Sequence, residues 1–521
     1  MITLLALPLA TASNAAASAP VVASLSPARG WVGTVVDVSG EGLSLATDVE
    51  FTGTSATFEI IDDGLIRATV PQGAATGPVT VVTPDGSAES PVDFIATPID
   101  HVVVIYQENH SFDNVLGSLC NQIAQGQVQH DPCDGATSGV LPDGSIIPLA
   151  QASDIVPTVA HSSGSQRRAI NDGGMNGFGL ILDCRSTDVP SYRCYSQFDP
   201  TQIPNLAALA TAYTISDRTF EFRNSASWLG HMALATPTTD GFKGDNPRVS
   251  KYTDLRGGGW GCDSYRDAQW WNGTKYIWVP SCVPDAQGAG PYRASPVPYV
   301  PTIFDTLDAA GLPWTIFGGL GQNPTGFYNW TICPTFFECL GSAQYSNLVS
   351  ADQVLTVASE GDLPAYSVVT PIGRNSQHNR KSMALGDDWV GQVVQAIQNG
   401  PDWASTAIFI AYDDCGCFYD HVPPAQPGWG VRVPMVIVSP WAKQAYTDHN
   451  DATFISLMAF VEHTFGVQPL AAEDASAYAY QDSFDFTAPP AMAPTKLVHE
   501  RIRASERRWI HQHPGNPNDP T

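Results

Sequence analysis

Basic side chains are scarce. There are 25 Lys and Arg against 51 Asp and Glu in 521 residues, a formal net charge of −26. An acidic surface repels phosphate backbones, which argues against nucleic acid as a partner, and it gives no electrostatic help on anionic bilayers. Charge of either sign is thin, at 15% of residues, so the chain is not an acidic low-complexity tail. No stretch beyond the N-terminus approaches the roughly 18 uninterrupted apolar residues of a membrane span. No CxxC pair repeats, which excludes the usual zinc-ribbon spacing. Residues 20–97 hold neither Cys nor His, and no cluster there suits chemistry.

What is present is ordinary for globular protein: 43% hydrophobic residues, with 45 Gly and 41 Pro spread along the chain as loop formers. At roughly 150 residues per domain, the length suits two or three domains, or one large and one small. Ten cysteines fall in close pairs: Cys120/Cys133, Cys184/Cys194, Cys262/Cys282, Cys333/Cys339 and Cys415/Cys417. Sequential pairing into local disulfides is the simplest expectation, and it implies an oxidising compartment. Residues 1–19 read as a signal peptide. An apolar run from Ile2 to Ala10 leads to Ala17-Ser18-Ala19, an A-x-A cleavage pattern, although no Lys or Arg precedes the run. The expectation is a secreted or extracytoplasmic protein.

Residues 20–97 alternate apolar and polar side chains in short runs, such as Thr34–Val38 and Val79–Val82, between Gly, Pro and Asp turns. That texture predicts a small β-sandwich. The stretches LSPARGWVGTVVDVSGEGL and IRATVPQGAATGPVTVVTPDGSAES resemble an IPT/TIG domain, an immunoglobulin-like module. The resemblance implies a spacer or binding module whose partner it does not identify.

From residue 98 the texture changes. Strand-like runs at His101–Tyr106, Trp314–Phe317, Ala365–Val369, Ala407–Tyr412 and Val433–Ser439 alternate with helical periodicity at 302–310, 387–398 and 452–465. Alternation of this kind predicts an α/β domain with a mainly parallel sheet, over 98–490. Asp387 and Asp388 are expected to sit at the start of the second of these helices. Residues 240–300 have no clear period and read as a disulfide-pinned insertion. Residues 491–521 read as a polar, peripheral tail.

Two strands run into polar clusters: Gln107-Glu108-Asn109-His110-Ser111 and Asp413-Asp414-Cys415-Gly416-Cys417. Ligands of open parallel sheets bind beyond the carboxyl ends of strands. Glu108, Asn109, Asp413 and Asp414 together make an oxygen-rich cage for one hard divalent cation, of the kind Ca, Mg, Mn or Fe provide; solvated turn carboxylates are the plain alternative.

The blocks HVVVIYQENHSFDNVLGSL, NDGGMNGF, LAALATAYTISDRTFEFRNSASWLGH and the long run from NSQHNRKSM to YDDCGCFYDHVPP resemble, in order, the bacterial phosphoesterase family of phospholipases C and acid phosphatases. That family lies in the alkaline-phosphatase-like superfamily, and the resemblance implies that fold. It also implies metal ligation by Glu108, Asn109, Asp413 and Asp414. The nucleophile is implied at Ser227, which would also touch the metal, with Ser225 as the alternative. His161 and His378 are implied as phosphate-binding or proton-donating groups. His231 follows Ser227 by four residues, which on a helix puts it one turn away on the same face, as a phosphate contact or as a structural helix-side His. The Ser-x-x-Gly-His form leans towards acid phosphatases and phosphomonoesters. Phospholipase C or another phosphodiesterase is the next reading, with phospholipid as substrate, and an inactive binding protein is the third. Trp260, Trp270, Trp271 and Trp278 either line an entrance or pack internally.

Overall fold

A computed structural model describes residues 19–513 except 27, 31–34, 72, 187–190, 251–259, 319–330, 487 and 500–501. The expected signal peptide lies, but for Ala19, outside the described residues. Contacts divide the chain into two units, 1–98 and 99–521.

In the first unit, two four-stranded antiparallel sheets face each other. One is ordered Val21–Ser26, Val35–Glu41, Leu65–Thr69, Thr57–Asp62; the other Thr54–Ser55, Asp48–Phe51, Val79–Thr83, Gly86–Glu89. Alternation puts Val36, Val38, Ile66 and Ala68 of one sheet and Val49, Phe51, Val79 and Val81 of the other into one buried core.

The second unit is built on an eight-stranded sheet. In chain order its strands are β1 (His101–Gln107), β2 (Thr214–Ser216), β3 (Trp314–Gly318), β4 (Leu348–Ser350), β5 (Tyr366–Val369), β6 (Thr406–Tyr412), β7 (Met435–Val438) and β8 (Tyr446–Asp448). Their spatial order is β4-β3-β5-β1-β6-β7-β2-β8, and only β7 runs against the rest. The central strands are apolar throughout because helices cover them. Phe454 and Phe460, on helix Phe454–Phe465, pack their rings on Tyr106 of β1 and Phe409 of β6. Phe304, on helix Ile303–Ala309, stacks on Trp314 of β3.

The helix expected over 387–398 starts earlier and spans Met383–Asn399, capped by Ser382, whose Oγ accepts from the Leu385 N–H. Asp387 and Asp388 are therefore not at its start. Instead the buried Asp387 carboxylate accepts the N–H groups of Asn205 and Leu206 at 2.8 Å each, capping the neighbouring helix Pro204–Ala212. Within 240–300 the chain forms a three-stranded antiparallel sheet (Arg248–Val249, Arg266–Trp271, Tyr276–Pro280) tied by Cys262–Cys282. Residues 491–513 include helix Ala504–Gln512, and Thr495 and Val498 hydrogen-bond to Gln398 and Asn205. Disulfides close between Cys120 and Cys133, Cys184 and Cys194, Cys262 and Cys282, and Cys333 and Cys339; Cys415 and Cys417 are buried thiols with sulfurs 3.6 Å apart. The sequential pairing thus extends to four pairs and not to the fifth.

Candidate active site

The site forms because β1 and β6 are hydrogen-bonded neighbours in parallel register, with Gln107 opposite Tyr412. Both chains leave the sheet at the same edge, so Glu108-Asn109 and Asp413-Asp414 meet there. Asn109 turns with φ +63°, and its N–H donates to Asp413 Oδ1 at 2.8 Å. Gly416 packs so closely on this turn that a Cβ there would lie 2.0 Å from the Asn109 carbonyl oxygen, at a φ of +52°. A larger residue is excluded on both counts.

Helix Ser227–Met232 approaches from the other side. The Tyr106 hydroxyl donates to the Gly230 carbonyl at 3.0 Å, and a Cβ on Gly230 would lie 2.4 Å from the Asp413 carbonyl oxygen. This close approach brings Ser227 Oγ to 3.2 Å from Asn109 Oδ1 and 3.3 Å from Asp414 Oδ2. Ser225 has no such placement: its carbonyl accepts from Gln166, and its backbone abuts Gly244. His231, one turn on, puts Nε2 2.8 Å from Glu108 Oε1. It faces a carboxylate rather than open space. Burial pushes its pKa down to about 4, so the neutral ring donates through Nε2.

Glu108, Asp413 and Asp414 are fully buried. Burial pushes all three carboxyls above their usual range, and the charges of neighbouring carboxylates add to this for Glu108 and Asp413. Glu108 Oε2 and Asp413 Oδ2 have no hydrogen-bond partner. Asn109 Oδ1 points at acceptors: its position lies 3.3 Å from Asp413 Oδ1 and from both Asp414 carboxylate oxygens. Turning the amide over would let it donate to these oxygens and accept from His378 Nε2 at 2.9 Å. Four oxygen groups converging on one buried point, two of them with unpartnered oxygens, fit a hard cation. Glu108, His231 and Asp413 each offer a donor atom within 4.8 Å of the others.

His161 and His378 are both buried, with ring centroids 6.2 Å apart. The His161 Nδ1–H donates to the Val159 carbonyl at 2.9 Å, leaving a buried Nε2 without a partner. The loop carrying His378 is fastened to the site by a 3.0 Å bond from the Glu108 N–H to the Ser376 carbonyl, and by Tyr412 Oη donating to Gln377 Oε1 at 2.6 Å. 

That Glu108–Ser376 bond runs backbone to backbone, so it holds the loop whatever side chains flank it. Asp245 and Asn246 tie the His161 and Ser227 segments together: Asp245 Oδ1 accepts from the Ser163 N–H at 3.0 Å, and Asn246 Oδ1 from the Trp228 N–H at 2.9 Å.

Sequence reasoning missed those two residues, and it missed Glu221. Glu221 is fully buried, and its Oε1 accepts the Cys415 N–H at 2.8 Å, directly behind Asp414. Burial raises its pKa, and then the proximity of Cys415 and Asp414. A lone carboxylate inside the run Thr219-Phe220-Glu221-Phe222 was the available signal. A second acidic cluster, Asp113, Asp420 and His421, already holds a cation of its own: Arg432, fully buried, lies 3.2 Å from Asp113 and 3.1 Å from Asp420. Asp420 and His421 belong to this ion-pair network.

A model of the Phosphoesterase family matches residues 99–468, and one of the IPT/TIG domain matches residues 20–96. The non-specific phospholipase C1 of Arabidopsis thaliana is 25% identical over 80% of this chain and 76% of its own length. Phospholipase C B of Mycobacterium tuberculosis is 25% identical over 78% and 82%. The non-hemolytic phospholipase C of Burkholderia pseudomallei is 27% identical over a shorter match, which spans 36% of each protein. Among solved structures, Ps i-CgsB aligns with 74% of this chain at a TM-score of 0.35 and 11% identity, too slight a likeness to carry an argument. The protein falls in the class of hydrolases that act on phosphoric esters. It belongs to the Phosphoesterase family, with an IPT/TIG domain ahead of the family region.

Proposed function

We propose that the chain is an exported, metal-dependent phosphodiesterase of the phospholipase C type, with Ser227 as nucleophile. The observation that carries this reading is the placement of the Ser227 hydroxyl against Asn109 and Asp414, inside a ring of buried carboxylates. Glu108, Asn109, Asp413, Asp414 and Ser227 would hold one divalent ion. When bound, it supplies positive charge that lowers the pKa of the hydroxyl and offsets charge on the phosphate oxygens.

The remaining roles fall to the chain's own side chains. Ser227 Oγ attacks phosphorus as its proton passes to a carboxylate oxygen of Asp414. The bond from phosphorus to the leaving alkoxide breaks, and His161 or His378 donates the proton that the alkoxide takes up. Water then hydrolyses the phosphoseryl ester. His231 orients Glu108 through its 2.8 Å bond. Support for export comes from the four disulfides. A largely parallel sheet, with the site beyond the carboxyl ends of its central strands β1 and β6, supports an alkaline-phosphatase-like architecture.

A phosphomonoesterase is the second reading, favoured by the Ser-x-x-Gly-His segment. It is weakened because His231 is spent on Glu108. The test compares wild type with Ser227→Ala on a soluble aryl phosphocholine diester and on an aryl phosphomonoester. Diester turnover that falls roughly a thousandfold or more in the variant is expected. Turnover of the monoester alone would favour the second reading, and unchanged turnover in Ser227→Ala would remove Ser227 from the mechanism.

A further inference from the structure

The three-stranded sheet of residues 248–280 presents two unlike faces. Cross-strand register pairs Trp270 with Ile277 and Ala268 with Val279. These side chains turn inward: Ala268 and Val279 are buried, and Trp270 and Ile277 pack on the main core. Register equally pairs Trp271 with Tyr276 and Gln269 with Trp278, and alternation sends these to the opposite face. There Trp271, Tyr276 and Trp278 stay 43%, 45% and 43% exposed. Trp271 and Tyr276 meet edge to face with centroids 5.2 Å apart, which holds the pair outward as one unit.

Three large aromatic rings exposed on one short hairpin cost hydration free energy that folding does not recover. The local charge is also unlike the rest of this acidic chain. The three strands and the turn at 272–275 contain a single carboxylate, Asp267. It is buried and engaged by Tyr292 and by Arg293 at 2.6 Å. Exposed on the same small sheet are Arg248, whose register partner is Asp267, and Lys275, which precedes Tyr276 in the turn. Amphipathic Trp and Tyr rings settle at the headgroup level of a bilayer, and neighbouring cations pair with headgroup phosphates.

We propose that this aromatic face docks the catalytic unit on the headgroup layer of a phosphatidylcholine surface. A zwitterionic layer presents phosphates to Arg248 and Lys275 while sparing the acidic remainder of the chain the repulsion of an anionic membrane. The choice of a phospholipid surface rests on the hydrolase reading above; the exposure and local charge of the face do not.

The test is sedimentation of the full chain with phosphatidylcholine vesicles in chelator, which blocks turnover, comparing wild type with the triple variant Trp271→Ser, Tyr276→Ser, Trp278→Ser. Expected is vesicle binding by wild type with a blue shift of tryptophan emission, and a loss of about tenfold or more in partitioning for the variant. Hydrolysis of a soluble aryl phosphodiester should be equal in the two proteins, which also shows that the variant folds. Absence of vesicle binding by wild type, or equal binding by the variant, overturns the proposal. Aromatic-dependent retention on an insoluble polysaccharide with no vesicle binding would overturn it in favour of a carbohydrate platform. A protein that binds vesicles through these rings but hydrolyses no phosphoester refutes the hydrolase reading and leaves the docking face standing.

Discussion

Replacing Gly230 by Ala should damage the site more than the fold. Gly230 lies inside helix Ser227–Met232, where exchange for Ala would ordinarily stabilise by about 0.5–1 kcal/mol. Here the new Cβ would meet the Asp413 carbonyl oxygen at 2.4 Å and its carbon at 3.0 Å. Ordinary contact begins about 1 Å further out, so the helix and the Asp413 turn must part by roughly that amount. Overpacking of this kind costs about 1–3 kcal/mol, which more than offsets the helix gain. The displaced groups are Ser227, at the start of the helix, and Asp413-Asp414. A shift of about 1 Å between nucleophile and charge-stabilising groups costs roughly a hundredfold in rate. The assay is kcat on a soluble aryl phosphodiester, with thermal denaturation alongside. Gly164→Ala is the control, because its Cβ would meet nothing nearer than the Ser162 hydroxyl at 3.8 Å. It should leave kcat unchanged. Wild-type turnover in Gly230→Ala would refute the argument that this close approach sets the geometry of Ser227.

The ion-pair network predicts a pH dependence of stability. Burial works to lower the His421 pKa, but its hydrogen bonds to Asp113 and Asp134 prevail and raise it to about 10 from an ordinary 6.5. Its contribution is therefore complete below pH 6.5 and is lost as pH rises through about 10. The melting temperature of wild type should exceed that of His421→Gln by a constant margin in mild acid, and the margin should shrink between neutrality and pH 10; a margin independent of pH would contradict this assignment. The cysteines give a simpler count. Denatured, unreduced protein should show two reactive thiols to an aromatic disulfide reagent, from Cys415 and Cys417, and complete reduction should expose all ten; no thiol before reduction would mean that the fifth pair is closed.

The parts of this structure legible in the sequence are those written in local patterns. The apolar runs of β1 and β6 and the polar clusters that follow them marked both halves of the site, and parallel neighbours were bound to bring their carboxyl ends together. Short strands such as Thr214–Ser216 and Leu348–Ser350 carried too few residues to show a period. The reversal of β7 left no trace, because a buried strand reads the same in either direction. Asp387 looked like the first turn of its own helix, yet it caps another 182 residues away, a contact no local pattern contains. His231 was placed beside Ser227 by helical spacing, while its partner Glu108 is 123 residues distant. Glu221, Asp245 and Asn246 support the site through backbone N–H groups, which carry no sequence signature. Strand alternation divides Trp270, which packs inward, from Trp271 and Trp278, which face out; Trp260, outside the strands, is buried.

The central claim is that Glu108, Asn109, Asp413, Asp414 and Ser227 surround one cation. The most direct measurement is metal content after equilibrium dialysis against micromolar Ca, Mg, Mn and Fe(II), for wild type and for Asp413→Asn/Asp414→Asn. Wild type should retain one equivalent of a single metal and the double variant none. Retention of the metal by the double variant, or its absence from wild type, would contradict the account.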